Sequence, residues 1–271
     1  LYLDYNGLFC EIGISVNNYS FVLPYLSIII PAFNEAKRIV PTLESITAFM
    51  ATQPFSWEIL VVDDGSIDDT IAILAQLNLP SLRVLTNPQN RGKGHAVRQG
   101  MLNAQGEYRL FVDADNATPI ESLLPLLATV RSGDYKIAVG SRAVVGATEQ
   151  KRTLGRRVLS AGSRWLIEYW LGLGIRDTQC GFKLYHASAA QHIYRLQTIS
   201  GFAFDLEVLF LARKLGYRVA EVPVQWTDKP GSKVHPLRDT RRFFQDLTRI
   251  KWQDVQGRYS DVNTVYASSA V

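Results

Sequence analysis

Five short runs of apolar residues punctuate the first half of the chain: Tyr25 to Ile30, Glu58 to Val62, Leu82 to Leu85, Tyr108 to Val112 and Tyr135 to Val139. The stretches between them, near 35–50, 68–77, 92–104 and 119–131, repeat their apolar residues at helical spacing. Runs that are apolar throughout, rather than alternating, suit strands buried on both faces. Strand and helix in strict alternation predict right-handed βαβ crossovers, hence an α/β fold with an open, mostly parallel sheet and helices on both faces. Such sheets bind ligands outside the carboxyl ends of their strands. Asn34-Glu35, Asp63-Asp64, Asn90 to Gly94, Asp113 to Asn116 and Ser141-Arg142 each follow a predicted strand, so they should converge on one rim.

After residue 142 the pattern changes. A basic loop leads into an aromatic-rich helix around Gly155 to Leu173, then a glycine-punctuated turn, Asp177 to Gly181. A helix near Asp205 to Leu215, a strand near Arg218 to Val222 and a basic amphipathic helix near Leu237 to Lys251 follow. From Gln256 the chain is polar and rich in small residues, the composition of a disordered tail. With 271 residues, 47% of them hydrophobic, the expected organisation is an extension at 1–24, one main domain at 25–235, the basic helix at 236–255 and the tail at 256–271.

Residues 1–24 show neither a basic start nor a long apolar run, so no signal peptide is expected from them. The most apolar later stretch, Val158 to Ile175, is broken by Arg164 and Glu168, and no transmembrane helix is expected. Cys10 and Cys180 lack CxxC or histidine company, which argues against a disulfide framework or a zinc site and for a reducing compartment. The net charge of +4 conceals a division. Lys136 to Arg164 carries seven Lys or Arg against Glu149 alone, and Asp228 to Lys251 carries seven against three Asp, so the remainder is acidic. Basic character in two late segments points to an anionic partner there.

Asp113-Ala114-Asp115 sets two carboxylates where an apolar strand leaves the core. Oxygen ligands of that kind suit Mg2+ or Mn2+ shared with substrate phosphates; an acidic turn capping the helix near Pro119 is the alternative. Asp63 and Asp64 can accept from a base N–H or a ribose hydroxyl, or form a turn and N-cap. Pro31-Ala32-Phe33-Asn34-Glu35 carries the same ambiguity. Asn90-Arg91-Gly92-Lys93-Gly94 has the composition of a phosphate cradle but not the spacing GxxxxGK[ST], which argues against ATPase chemistry; a helix start is the alternative.

Taken in series, these four strings resemble family-2 glycosyltransferases of the GT-A (Rossmann-like) fold, whose pattern runs PxxNE, VVDDGS, NxGKG, DxD. The resemblance implies a metal on Asp113 and Asp115, and a nucleotide-sugar held by Pro31, Ala32, Asn34, Glu35, Asp63, Asp64, Lys93, Gly94 and Asp113, with Lys233 closing over the diphosphate. Gly140-Ser141-Arg142, Arg156-Arg157, Asp177 to Lys183, Phe202 to Glu207, Glu221 to Trp226 and Pro230 to Lys233 look like the dolichyl-phosphate β-glucosyltransferase branch. The match then covers about residues 26 to 251. It implies an inverting transfer of glucose from UDP-glucose to a polyprenyl phosphate. Eukaryotic members of that branch carry an N-terminal membrane helix, which residues 1–24 do not resemble, and a bacterial enzyme would use a polyprenol other than dolichol.

Within that reading, Arg142 and Arg156 would grip the acceptor phosphate, because a planar guanidinium binds phosphate oxygens bidentately. Asp205 would orient acceptor or sugar, or act as a base; its place near a helix start also suits the helix dipole. Trp165, Tyr169 and Trp170, with the helix bearing Arg238, Arg241, Arg242, Arg249 and Lys251 beside Phe243 and Phe244, have the make-up of interfacial helices. An ordinary buried helix and a solvated one would look similar. The expected location is the cytoplasm, peripheral on the cytoplasmic face of a membrane. GDP-mannose as donor, or nucleotide binding without turnover, are the alternatives. Nucleic acid is not expected as a partner, since no recognition motif is present and the rim is acidic.

Overall fold

The computed structural model describes residues 23–149, 165–229 and 236–259. In chain order they form β1 (Leu26–Ala32), α1 (Ile39–Met50), β2 (Trp57–Asp63), α2 (Thr70–Gln76), β3 (Leu82–Thr86), α3 (Lys93–Asn103), β4 (Tyr108–Val112), α4 (Leu123–Arg131), β5 (Ile137–Ser141) and β6 (Thr148–Glu149). Helical residues 165–171 (α5) come next. They lead to β7 (Phe182–His186), α6 (Ala187–Leu196), α7 (Phe204–Lys214), β8 (Val219–Pro223), β9 (Gln225–Trp226) and α8 (Pro236–Val255).

Seven strands make one sheet in the order β3-β2-β1-β4-β7-β5-β8, with β6 and β9 paired beside it. All five expected strands of the first half are present, as are the helices between them. The correction concerns the centre. β7 runs antiparallel to both neighbours, pairing Val112 with Phe182 and Val139 with Lys183. Its residues follow the glycine-punctuated turn and were not foreseen as a strand, nor was α6 after it. The reason is that β7 fills the space between β4 and β5, which sequence order alone would have left adjacent. A strand entering from the rim is necessarily antiparallel to those leaving there.

Because successive side chains point to opposite faces, the all-apolar strands feed two cores. Ile29, Val62, Phe111, Val139 and Tyr185 pack beneath α3, α6 and α7, with Leu247 and Ile250 of α8. Ile28, Ile30, Val61, Leu110 and Phe182 pack against α1 and α4. Residues 165–171 bury Ile167 and Leu171 in the first core and leave Trp165 and Tyr169 about 70% exposed, their rings stacked. Phe243 packs against the same core, whereas Phe244 is half exposed. Arg164 lies outside the described residues, and Glu168 accepts from the Gly174 N–H.

The structureless tail expected from Gln256 begins too early. Tyr259 is 2% exposed and its hydroxyl donates to the buried Glu207 carboxylate at 2.7 Å. Among the described residues no helix is long and apolar enough to cross a membrane.

Gly100 lets α3 lie directly on the sheet: a Cβ there would stand 2.4 Å from Ile29 Cγ2 and 3.1 Å from Val62 Cγ2. Alanine is the better helix former by about 1 kcal/mol, yet the clash is with two branched core side chains. Gly100→Ala is expected to destabilise the fold by about 1–3 kcal/mol. Urea unfolding would show this as a lower midpoint at unchanged slope; a midpoint at or above that of the native chain would contradict the packing argument.

Candidate active site

The rim is assembled by strand ends. β1, β2, β3, β4 and β5 all terminate there, and β7 begins there because it runs the other way. Asp113, the first residue past β4, donates its backbone N–H to the Gly181 carbonyl at 3.1 Å. Its carboxylate lies over the Gly181 Cα so closely that a Cβ at 181 would sit 1.9 Å from Oδ2. The side chains of Asp113 and Asp115 remain 33% and 27% exposed, so the pair faces outward. Burial and then the neighbouring Asp113 push the Asp115 carboxyl above the usual range, against the pull of Arg38 and Lys93. Two adjacent carboxylates, oxygen-only and partly open to solvent, fit a hard divalent cation that takes its other ligands from phosphate and water. Among the described residues no group of three or more His, Cys, Asp or Glu could hold a metal by itself.

Cations already stand beside these acids. Lys93, the first residue of α3, places Nζ 2.6 Å from Asp113 Oδ1 and 5.2 Å from the centre of the Phe111 ring. Arg38 forks onto Glu35 at 2.7 Å through each of two nitrogens and stands 3.9 Å from Asp115 Oδ2. An open groove of about 760 Å3 runs from Asp115 and Asn116 past Glu35 and Arg38 to Asp68 and Lys229. That volume lies within the usual range for small-molecule sites.

The Asp63-Asp64 pair divides its work. Asp64 is 2% exposed and gathers the Asn87 amide with the Arg91 and Gly92 N–H groups, fixing the loop before α3. Asp63 accepts from Gly65 and Ser66 through Oδ2, while its buried Oδ1 has no hydrogen-bond partner. An unmatched buried carboxylate oxygen is costly, and at a strand end it suits a donor brought by a ligand. Asn34, in a left-handed conformation with φ 55°, accepts from Ile67 N–H through its side chain and donates its own N–H to Ser66. It thereby ties the Pro31-Ala32 strand end to the Asp63 turn.

The glycines of the Asn90 to Gly94 string meet protein. A Cβ on Gly92 would stand 2.3 Å from the Ser200 carbonyl oxygen, and one on Gly94 2.6 Å from that of Ile199. The Gly94 N–H donates to Ser200 O at 2.8 Å, so the string reaches the acidic pair through the Lys93 side chain. Asp205 is 4% exposed and accepts from Lys183 Nζ at 2.5 Å. Burial raises its carboxyl above the ordinary range, opposed by Lys183 and Lys93. It lies behind the rim rather than on it.

Arg142 is positioned more tightly than its place in the sequence suggests. Asp177 accepts from its Nε at 2.7 Å, its Nη2 at 2.8 Å and its backbone N–H at 2.9 Å. Burial works against the Asp177 carboxylate, but Arg142 outweighs it and holds the pKa below the usual range. Glu221 in turn accepts from Ser141 Oγ and from the Arg176 and Asp177 N–H groups. The guanidinium lies 5.2 Å from the Trp226 ring. Arg156 and Lys233 lie outside the described residues, as do Arg152 and Arg157. Arg38, Asp177, Gly181, Lys183 and Glu221 were not singled out individually as site residues. Lys183 was the most legible of them, since a lysine between Phe182 and Leu184 in an apolar run needs a buried anion.

The pattern of glycosyl transferase family 2 matches residues 27–194. Dolichyl-phosphate beta-glucosyltransferase of Dictyostelium discoideum is 36% identical over 86% of this chain and 76% of its own length. The protein of the same name from Saccharomyces cerevisiae is 36% identical over 88% and 77%. Glucosyl-3-phosphoglycerate synthase of Mycobacterium tuberculosis, crystallised with Mn2+, UDP and glucosyl-3-phosphoglycerate, superposes with a TM-score of 0.61 at 19% identity over 88% of this chain and 80% of its own. The sheet with its one reversed strand is thus the expected GT-A fold, and the rim of strand-end motifs belongs to a glycosyltransferase of family 2, in the branch of the dolichyl-phosphate β-glucosyltransferases.

Proposed function

We propose that the chain transfers glucose from UDP-glucose to a polyprenyl phosphate of the dolichyl type, with inversion and with Mg2+ or Mn2+, at a membrane surface. The observation that carries the reading is the outward-facing pair Asp113 and Asp115, set against Gly181, in a chain so like enzymes named for glucosyl transfer to dolichyl phosphate. A divalent cation held by Asp113 and Asp115 would neutralise charge on the departing diphosphate.

The chain's own residues supply the rest. Asp63, with one unmatched buried oxygen, would receive an N–H or O–H of the nucleoside. Lys93 and Arg38 flank the acidic pair and would bear on the diphosphate. The acceptor phosphate is already anionic, so it needs orientation more than deprotonation. One of its oxygens attacks the anomeric carbon from the face opposite the diphosphate; the bond to the diphosphate oxygen breaks, and its electron pair leaves with the nucleotide. Arg142, held in plane by Asp177, is the cation suited to steering that oxygen. Asp205, paired with Lys183 behind the rim, is supported as a positioning residue rather than a base. The membrane reading is supported by exposed Trp165, Tyr169 and Phe244 on helices that share one core, with Arg242 and Arg249 exposed on α8. That surface would face the cytoplasm.

Three outcomes are expected. With radiolabelled UDP-glucose, a polyprenyl phosphate and Mn2+, the chain should yield an acid-labile, organic-extractable glycolipid, and a chelator should abolish it. Absence of product with every polyprenyl phosphate would sink the acceptor assignment, and label transfer from GDP-mannose alone would replace the donor. Gly181→Ala should displace the Asp113 carboxylate by an ångström or more and lower kcat/KM by about a hundredfold while the far-ultraviolet circular dichroism is retained; native kinetics would disprove the contact. Vesicles of anionic lipid should sediment with the chain, and W165A/Y169A should weaken that partition by about tenfold or more. Equal partition of the double variant would remove these aromatics from the membrane reading.

A further inference from the structure

Lys93 occupies one of the two Asp113 oxygens through which a metal would be held. Its ammonium stands 2.6 Å from Asp113 Oδ1, and beneath it lies the Phe111 ring. Lys183 approaches the same ring at 5.8 Å, fully buried and paired with Asp205. Two lysines and two aspartates therefore surround one phenyl group. The ammonium is thus ion-paired with Asp113 over an aromatic face. A divalent ion on Asp113 would stand close to that ammonium, and two cations so near in a partly desolvated site repel strongly.

We infer that Lys93 is a latch on Asp113: it holds the carboxylate until a nucleoside diphosphate arrives to take the ammonium, so that divalent cation and diphosphate bind together rather than one after the other. The inference rests on the metal-dependent donor reading above. Two features fit a latch. The Gly94 and His95 N–H groups at this helix start are given to Ser200 O, so an arriving phosphate is attracted here by the Lys93 side chain and not by these backbone donors. Asp205, buried nearby, also acts electrostatically on Lys93, while its own ion pair is made with Lys183. A diphosphate can thus draw the ammonium away without leaving either carboxylate bare.

The test is Mn2+ binding to the full chain, read from loss of the free-ion paramagnetic resonance signal, with and without UDP. The native chain should bind Mn2+ weakly alone and about tenfold or more tightly with UDP, within the usual range of coupling between sites. Lys93→Gln should bind Mn2+ alone about tenfold more tightly than the native chain, yet bind UDP alone more weakly, so the mutual enhancement contracts. Lys93→Arg should restore weak binding of Mn2+ alone. Arg131→Gln removes an exposed charge from the last turn of α4, away from the rim, and should change it by less than about twofold. If Lys93→Gln binds Mn2+ alone no better than the native chain while UDP still promotes binding, the latch is wrong and the donor reading stands. A native chain that takes no Mn2+ even with UDP overturns the donor reading and the latch with it.

Discussion

The close approach of Asp113 to Gly181 is the constraint from which the rest of the site follows. Two chain segments that are remote in sequence meet there with no side chain between them. One leaves the sheet at the end of β4, and the other is about to enter it as β7. A parallel neighbour would bring another strand end; only a reversed strand can bring the start of one. The Asp177 to Gly181 segment thereby lies between Asp113 and Arg142, touching the first through Gly181 and the second through Asp177. The acidic and basic halves of the rim are spaced by a single five-residue loop.

Charge balance explains why the polar residues behind the rim are so well satisfied. Each buried acid has partners suited to its depth: Asp64 takes amides, Asp177 takes a guanidinium, Asp205 takes a lysine and Glu207 takes backbone and hydroxyl donors from Thr198, Ile199 and Tyr259. Unpaired charge at such depth would be prohibitive. The exceptions lie at the rim, where burial and the neighbouring Asp113 burden Asp115 and Asp63 keeps an oxygen unmatched. Among the acids, deficits confined to that one edge mark where a ligand completes the site.

Much of this was legible in the sequence because strand and helix in the first half obey local rules. All-apolar runs, polar strand ends and helical spacing are short-range signals, and Asp63, Lys93 and Asp113 fall on the same rim as expected. β7 was not legible, because Phe182 to His186 follows a turn-rich stretch and its burial depends on filling a gap between two remote strands. The Asn90 to Gly94 string has the composition of a phosphate cradle or a helix start; what Gly94 also admits is the Ile199 to Gly201 backbone, a partner a hundred residues away that no local spacing announces. Arg142 was identified by its place after a strand, whereas its tether Asp177 comes from across that same reversed connection.

The hydroxyl of Tyr259 touches Glu207, and Glu207 accepts from the Thr198 and Ile199 N–H groups just before the backbone on which Gly92 and Gly94 rest. Leu247, Ile250 and Gln253 of α8 are buried alongside. The basic helix is therefore wired into the floor of the catalytic rim rather than hung from it. A truncation before Tyr259 removes the hydroxyl that braces Glu207, and a load on α8 is passed through that carboxylate to the backbone beneath α3.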